Sequence, residues 1–472
     1  MRMLLFKRLA CKHLFIILFV SGALSAQIIN AQNNSKDFKK TIQDISALFK
    51  KKKKDSTSTT VQSAGTQSAT GVSGVKPGDL ALAVKYIDAD RLFSFNAGSA
   101  KIYKGTSSAL IDSAGNYIVP YNTYDITEVF YPGPKENYQV YYNGLYAYNN
   151  MDHQWGGYMN SEGKIVVKKT ASSALSDYSD NKKLIETHNS GTAYTYTTPG
   201  GKSYALDRRL ENIIGGIGIE RINDPTIGAW RYRKITGEII TGWFDEATPF
   251  SDGMAVVGKK DQFGEMKYGY INTDGKLVIP LQFSIHPNDF MCGFARVQPK
   301  DKTAFEYAFI NKKGEIVFKQ TSADVSKYGA FDHFTNYGLA FSARYIMDTT
   351  FNLIAKPDFF KSFGIPADSW FEEEGTYTIG ETNPKLVFST RTARSPYTQM
   401  PMYGFINLAT KKVVMPVFEL ANINGIFFDP KSHLALAKVC LGRDKNNVPV
   451  YREGFINEDG LFVLVKGAGS QW

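Results

Sequence analysis

Three groups of residues in this chain could do chemistry. Tyr138, Tyr141, Tyr142, Tyr146 and Tyr148 crowd the segment that runs up to Trp155. Tyrosine and tryptophan offer large rigid surfaces with a polar handle, which suits a glycan or a peptide, and equally suits packing between stacked hairpins. Tyr141, Tyr142, Tyr146 and Trp155 are therefore the candidate ligand-binding residues. The second group is Glu372-Glu373-Glu374, which follows Trp370-Phe371. Glycoside hydrolysis needs two carboxylates ~5–9 Å apart, but neighbours on a strand point to opposite faces, so this run also fits a solvated loop. The third group is oxygen-rich: Asp88-Ala89-Asp90 and the Asn-x-Asp-Gly runs at 272–275 and 457–460. A calcium loop would need twelve residues and a closing Glu, which are missing, so these read as Asx turns. His153, His188, His286, His333 and His433 are scattered, and neither a Gly-x-Ser-x-Gly elbow nor a Walker loop occurs. The expectation is no catalytic residue, no metal ligand and no cofactor.

The elements that must position these residues repeat. Tyr268-Gly269-Tyr270-Ile271-Asn272-Thr273-Asp274-Gly275-Lys276-Leu277-Val278-Ile279-Pro280 returns as Tyr403-Gly404-Phe405-Ile406-Asn407 with Val413-Val414-Met415-Pro416, and again as Gly454-Phe455-Ile456-Asn457-Glu458-Asp459-Gly460. Tyr268, Tyr270 and Asn272 alternate with Gly269 and Ile271, the period of a strand. Asn and Gly then supply a tight turn, and Leu277-Val278-Ile279 is the return strand, closed by Pro280. The Asn or Asp before the turn stands at 112, 160, 272, 311, 348, 407 and 457. The repeat period is about 37–50 residues, and the 112-residue gap has room for two eroded units. A second phrase lies between hairpins: Phe250-Ser251-Asp252-Gly253-Met254-Ala255, echoed from Phe290 and from Phe334. It reads as a turn and a third strand, so each unit of three or four strands must hide its apolar face against a neighbour.

The N-terminus carries an address. Arg2, Lys7, Arg8 and Lys12 precede the apolar run 14–20, and Leu24-Ser25-Ala26 closes a signal peptide over residues 1–26. The run is too short to span a bilayer. Residues 27–78 form a basic helix and a flexible linker, with Phe38, Ile42, Ile45, Leu48 and Phe49 at helical spacing among lysines. Such a helix over 35–54 can touch an anionic membrane surface weakly. The formal charge of +10 resides in these two segments, which leaves residues 79–472 near neutrality and argues against nucleic acid. Cys292 and Cys440 read as free thiols rather than a disulfide framework.

These phrases resemble the WG-repeat (KWG repeat) family, whose motif combines Trp-Gly, an Ile-Asn or Ile-Asp pair, a Gly turn, a Val-Pro ending and a Phe-x-x-Gly-Leu-Ala strand. The resemblance covers roughly 105–465 and is strongest over 240–345 and 400–465. Trp155-Gly156 keeps the signature tryptophan, and Tyr268 and Tyr403 stand in elsewhere. The resemblance implies a bacterial, exported interaction scaffold without a shared catalytic residue. The expected fold is all-β: tandem hairpin repeats over 79–472 in a curved stack or propeller-like array, behind a flexible N-terminal segment. The expected function is non-catalytic binding of a protein or envelope glycan in the periplasm or at the cell surface. The competing expectation is a hydrolase of an envelope or extracellular polymer, with its site in the 355–400 insertion.

Overall fold

The computed structural model describes residues 78–128, 145–151, 156–168, 173–175, 184–189, 193–198, 200–221, 229–300, 305–335, 337–371, 385–420 and 426–467. The signal peptide, the basic helix, Tyr141, Tyr142, Trp155 and Glu372–Glu374 lie outside them. The described residues are almost entirely β, with two short helices, α1 (Ser322–Tyr328) and α2 (Lys356–Ser362).

The turn is the element most directly dictated by sequence. The Asn272 side-chain oxygen accepts the backbone N–H groups of Asp274 and Lys276 at 3.1 and 3.0 Å, and its carbonyl accepts that of Gly275 at 2.9 Å. Asp112, Asn160, Asn311, Asp348 and Asn457 repeat the side-chain pattern. Asn407 makes a variant with Ala409 and Thr410. Gly275 has φ +77°, as a three-residue hairpin loop requires. Phe351 occupies that place in the Asp348 turn at φ +62°. A left-handed backbone costs a bulky residue about 1–2 kcal/mol, and the ring offsets this by stacking on Phe318 with centroids 5.3 Å apart. The same backbone turn forms at Thr198 and Lys234. These two residues divide the long gap into steps of 38, 36 and 38 and are the turns of the eroded units.

The third strand departs from expectation at its proline. Pro280 lies inside the strand Leu277–Phe283 and Pro416 inside Val413–Phe418. Pairing passes from Tyr270↔Ile279 to Tyr268↔Phe283, and from Phe405↔Val414 to Tyr403↔Phe418, a shift of two residues in each case. Each proline is thus absorbed in a bulge, where its missing N–H breaks no ladder bond, and the strand continues beyond it. The bulge presses the partner strand against the motif glycine. A Cβ at Gly269 would sit 2.4 Å from the Ile279 carbonyl oxygen.

Among the described residues these hairpins assemble into nine small sheets in a propeller-like arrangement. In chain order their strands lie within 91–119 (sheet 1), 125–168 (2), 173–206 (3), 210–234 (4), 246–283 (5), 294–320 (6), 339–355 (7), 370–418 (8) and 435–466 (9). The expected 355–400 insertion thus contains α2 and two strands of sheet 8, Trp370–Phe371 and Lys385–Ser389, and Phe359 and Phe360 of α2 are buried with Phe371 and Phe388. Apolar clusters join sheets 1 to 2, then 3 through 9 pairwise. Another joins sheet 9 back to sheet 1, with Leu92, Phe95 and Ile102 against Leu436, Phe455 and Leu464. One joint recurs. A middle-strand aromatic meets the phenylalanine of the next loop, as Tyr232–Phe250, Tyr270–Phe290, Phe309–Phe334 and Phe405–Phe428, with centroids 4.8–5.3 Å apart. Each such pair contributes about 0.5–1.5 kcal/mol beyond its buried area.

The expectation left stack and ring open, and the first and last described sheets meet, as in a propeller-like array. The strand Leu80–Ile87 pairs in parallel with Phe462–Lys466 as the outermost strand of sheet 9. The buried Asp429 carboxylate accepts the N–H groups of Ala97 at 2.7 Å and Gly98 at 3.0 Å in sheet 1, and that of Ser432 at 2.7 Å.

Candidate functional site

The loop phrase before each sheet places polar side chains at fixed positions relative to its anchoring phenylalanine. The residues one and two before Phe250, Phe290 and Phe334 are Pro249 and Thr248, Asp289 and Asn288, and His333 and Asp332. Because each phenylalanine is buried in its joint, these neighbours are held at the same level on sheets 5, 6 and 7.

They form a hydrogen-bonded row. Thr248 Oγ1 donates to Asp289 Oδ1 at 3.1 Å, and Asn288 Nδ2 donates to Asp332 Oδ1 at 3.1 Å. Asp332 Oδ2 lies 2.9 Å from His333 Nδ1, and Arg296 Nη2 lies 3.2 Å from Asp332 Oδ1. Arg296 also donates to the Phe331 carbonyl at 3.2 Å and stacks its guanidinium 4.5 Å from the centre of the Tyr307 ring. The His286 ring packs edge-on to Tyr268 at 4.9 Å. Two buried phenols fix the loop backbones from below: Tyr232 donates to the Thr248 carbonyl at 2.6 Å and Tyr270 to the Asn288 carbonyl at 2.7 Å. Burial pushes both phenols up.

The two carboxylates are tuned in opposite directions. The hydrogen bond from His333 comes first among the causes that lower Asp332 to about 2, with the Arg296 charge assisting. Asp289 is exposed yet hemmed in by protein, and desolvation raises it above the ordinary carboxylate value, opposed by the bond from Thr248 and by His286 and His333. Asp289, Asp332 and His286 face solvent. The row therefore offers acceptors, donors and aromatic faces within one strip, the groups that hold hydroxyl-rich or amide ligands. Among the described residues no three His, Cys, Asp or Glu side chains come together to hold a metal.

Of the ligand-binding residues expected from sequence, Tyr146 alone is described, and it corrects the expectation of an exposed aromatic. Its side chain is fully buried between sheets 1 and 2, with its hydroxyl 2.9 Å from Ser99 Oγ. The reason is alternation. In the strand Leu145–Asn149, Tyr146 and Tyr148 share the face that packs on Leu110, Val119 and Ile126 of the adjoining strands. Asp90 and Asp88 serve the backbone of Gly105 and the ammonium of Lys104.

Other ionic groups hold the joints. Buried Glu220 meets Arg231 at 2.8 Å and Arg233 at 3.5 Å in sheet 4. Glu458 meets Lys385 at 3.0 Å and His433 at 3.2 Å between sheets 8 and 9. Cys292 and Cys440 are free; Cys292 donates to the Thr335 carbonyl, and burial pushes its thiol up to about 12. Sequence alone leaves His333 a scattered histidine and does not single out Asn288, Asp289, Arg296 or Asp332, because the five lie up to 45 positions apart. For Asn288, Asp289, Asp332 and His333 the available signal is a constant offset from the repeating phenylalanine; Arg296 has no such counterpart.

Comparison with known proteins places the repeat. Residues 237–262 and 268–302 match the WG containing repeat. No curated protein matches the chain in sequence. Among solved structures, dihydro-heme d1 dehydrogenase NirN in complex with DHE aligns at 11% identity and TM-score 0.30, over 71% of this chain and 73% of that one. A Bacteroides caccae protein of unknown function aligns at 11% identity and TM-score 0.17, over 50% and 96%. The WD40 domain of Toxoplasma gondii coronin aligns at 11% identity and TM-score 0.21, over 52% and 74%. These likenesses are too slight to bear on activity. The matched segments carry the WG containing repeat and cover strands of sheets 5 and 6 with the loops before them, and like hairpins recur along the described residues.

Proposed function

We propose that this protein is a non-catalytic binding scaffold of the bacterial envelope, exported by residues 1–26, that holds a protein or glycan partner on its loop surface. The observation that carries the reading is the row Thr248, Asn288, Asp289, Arg296, Asp332 and His333. Three successive copies of one loop turn their polar side chains toward the same strip, and solvent reaches Asp289 and Asp332. Repeat proteins bind through surfaces of this kind, each unit adding one set of contacts. Tyr141, Tyr142 and Trp155 would add aromatic surface, and residues 35–54 a weak membrane contact.

The test is retention of the purified mature chain on immobilised envelope glycans and on envelope protein extract. Saturable retention that weakens at least about tenfold in the Asp289→Ala, His286→Ala double variant supports the reading, since two lost hydrogen-bonding groups remove more than ~1.4 kcal/mol. Undiminished retention removes the row from the function. Turnover of a retained polymer that Glu373→Ala abolishes would establish a hydrolase instead.

A further inference from the structure

The residue five positions after the turn residue stands at the outer edge of its unit, except after Asn407, where Val413 follows by six, and its exposure varies between units. Tyr117, Ile239, Leu277 and Ile316 hold this position in four units and are 42–47% exposed, large apolar side chains left in water. Phe462 holds it in sheet 9 and is fully buried, because Leu80–Ile87 lies alongside as an added parallel strand. Leu80, Val84 and Tyr86 pack into the same core as Phe462 and Val465. The molecule thus contains one worked example of how this edge is covered: by an extended apolar segment.

In sheets 1, 5 and 8 the edge is blunted. Pro280 and its bulge interrupt the outer strand of sheet 5, and Pro416 that of sheet 8. Sheet 1 has only Tyr117–Val119 before Pro120, and the Tyr117 ring is engaged by Tyr121 at 5.6 Å. Sheet 6 differs. Its outer strand Ile316–Gln320 has no proline; Tyr307, Ala308 and Phe309 face Gln320, Lys319 and Phe318, and a register shift falls just before the Ile310–Ile316 pair. Ala308 stands where sheets 5 and 8 carry Gly269 and Gly404. Ile316 and the 39%-exposed Val317 are the apolar residues of this edge, and α1, which follows it, has no fully buried residue and packs through Tyr328 on Tyr345. A proline-free edge that leaves large apolar side chains in water is a template for another chain.

We propose that Ile316–Gln320 receives an extended apolar segment of a partner protein, added parallel as Leu80–Ile87 is added to sheet 9. Main-chain hydrogen bonds would supply affinity, and Ile316 and Val317 would select small and branched apolar side chains in alternation, as in Leu80-Ala81-Leu82-Ala83-Val84. This surface is separate from the loop row and stands whether or not that row binds a ligand.

The probe is a fluorescent peptide with the sequence of Asp79–Asp88, titrated into the full mature chain and read by polarisation, with hydrogen exchange locating it. Binding should slow exchange across 316–320. Val317→Pro and the surface change Ile316→Lys should each weaken it by about tenfold or more, whereas Leu277→Lys in the bulged edge of sheet 5 changes it less than about twofold. Absence of binding overturns the proposal. So does binding that Ile316→Lys leaves intact, which would mean the peptide replaces Leu80–Ile87 in sheet 9. A dimer of the chain that Ile316→Lys dissociates would assign the edge to self-association and equally overturn it.

Discussion

Replacing Gly269 by alanine tests the coupling between the motif glycine and the proline bulge. The added Cβ would meet the carbonyl oxygens of Ile279 and Pro280 at 2.4 and 2.7 Å and the Pro280 carbonyl carbon at 2.8 Å. Non-bonded carbon contacts settle near ~3.5 Å, so the two strands must part by about 1 Å. All the close atoms are backbone, which cannot swing aside as a side-chain tip can. Overpacking of this kind costs about 1–3 kcal/mol, and each stretched ladder bond adds about 1 kcal/mol. The expected loss is about 2–4 kcal/mol. Gly404→Ala, whose Cβ would lie 2.1 Å from the Val414 carbonyl oxygen, should behave alike in sheet 8. The control is Gly242→Ala, where nothing lies within 4 Å; it should be neutral or stabilise by up to about 1 kcal/mol. Denaturant unfolding gives the overall change, and hydrogen exchange over 266–283 shows whether the loss is local, since repeat arrays need not unfold in one step. If Gly269→Ala and Gly404→Ala cost no more than Gly242→Ala, the account of the motif glycine is wrong.

Two further outcomes are expected. Asp429→Ala strands the three backbone donors that its carboxylate satisfies and should cost about 2–4 kcal/mol; exchange should rise together in sheet 1 and in Leu80–Ile87, and a rise confined to 426–434 would refute its part in closure. The Asp332 carboxyl is lowered from an ordinary 3.8 to about 2, chiefly by His333, so its stabilising effect is full above about pH 4 and fades as pH falls through 2. The stability gap between wild type and Asp332→Asn should therefore narrow between pH 4 and pH 2; a gap constant with pH would contradict the assignment.

The turns were the readable part of this chain, because Asn272, Asn311 and Asn457 write their hydrogen bonds into two or three adjacent residues. Thr198 and Lys234 make the same backbone turn without the Asn side chain, so the sequence leaves room for two eroded units without placing their turns. Pro280 was taken for a strand end because proline cannot donate in a ladder; the bulge that accommodates it depends on Gly269, eleven positions earlier and across the hairpin. Tyr146 shows the ambiguity of aromatic clusters, since composition gives the ring but only strand register gives its face. The loop row and the Asp429 clamp depend on pairs separated by 41 to 332 positions, and the closing strand Leu80–Ile87 carries no copy of the motif at all.

That closing strand also sets an order of events. Its partner, Phe462–Lys466, is synthesised nearly four hundred residues later, so Leu80–Ile87 must wait that long, unpaired and apolar. Nascent chains should thus remain open horseshoes with a sticky segment until Phe462–Lys466 emerges. A permuted chain that starts at the Asp444–Asn447 hairpin tip and links Lys466 to Leu80 would tie Leu80–Ile87 to its partner from the outset.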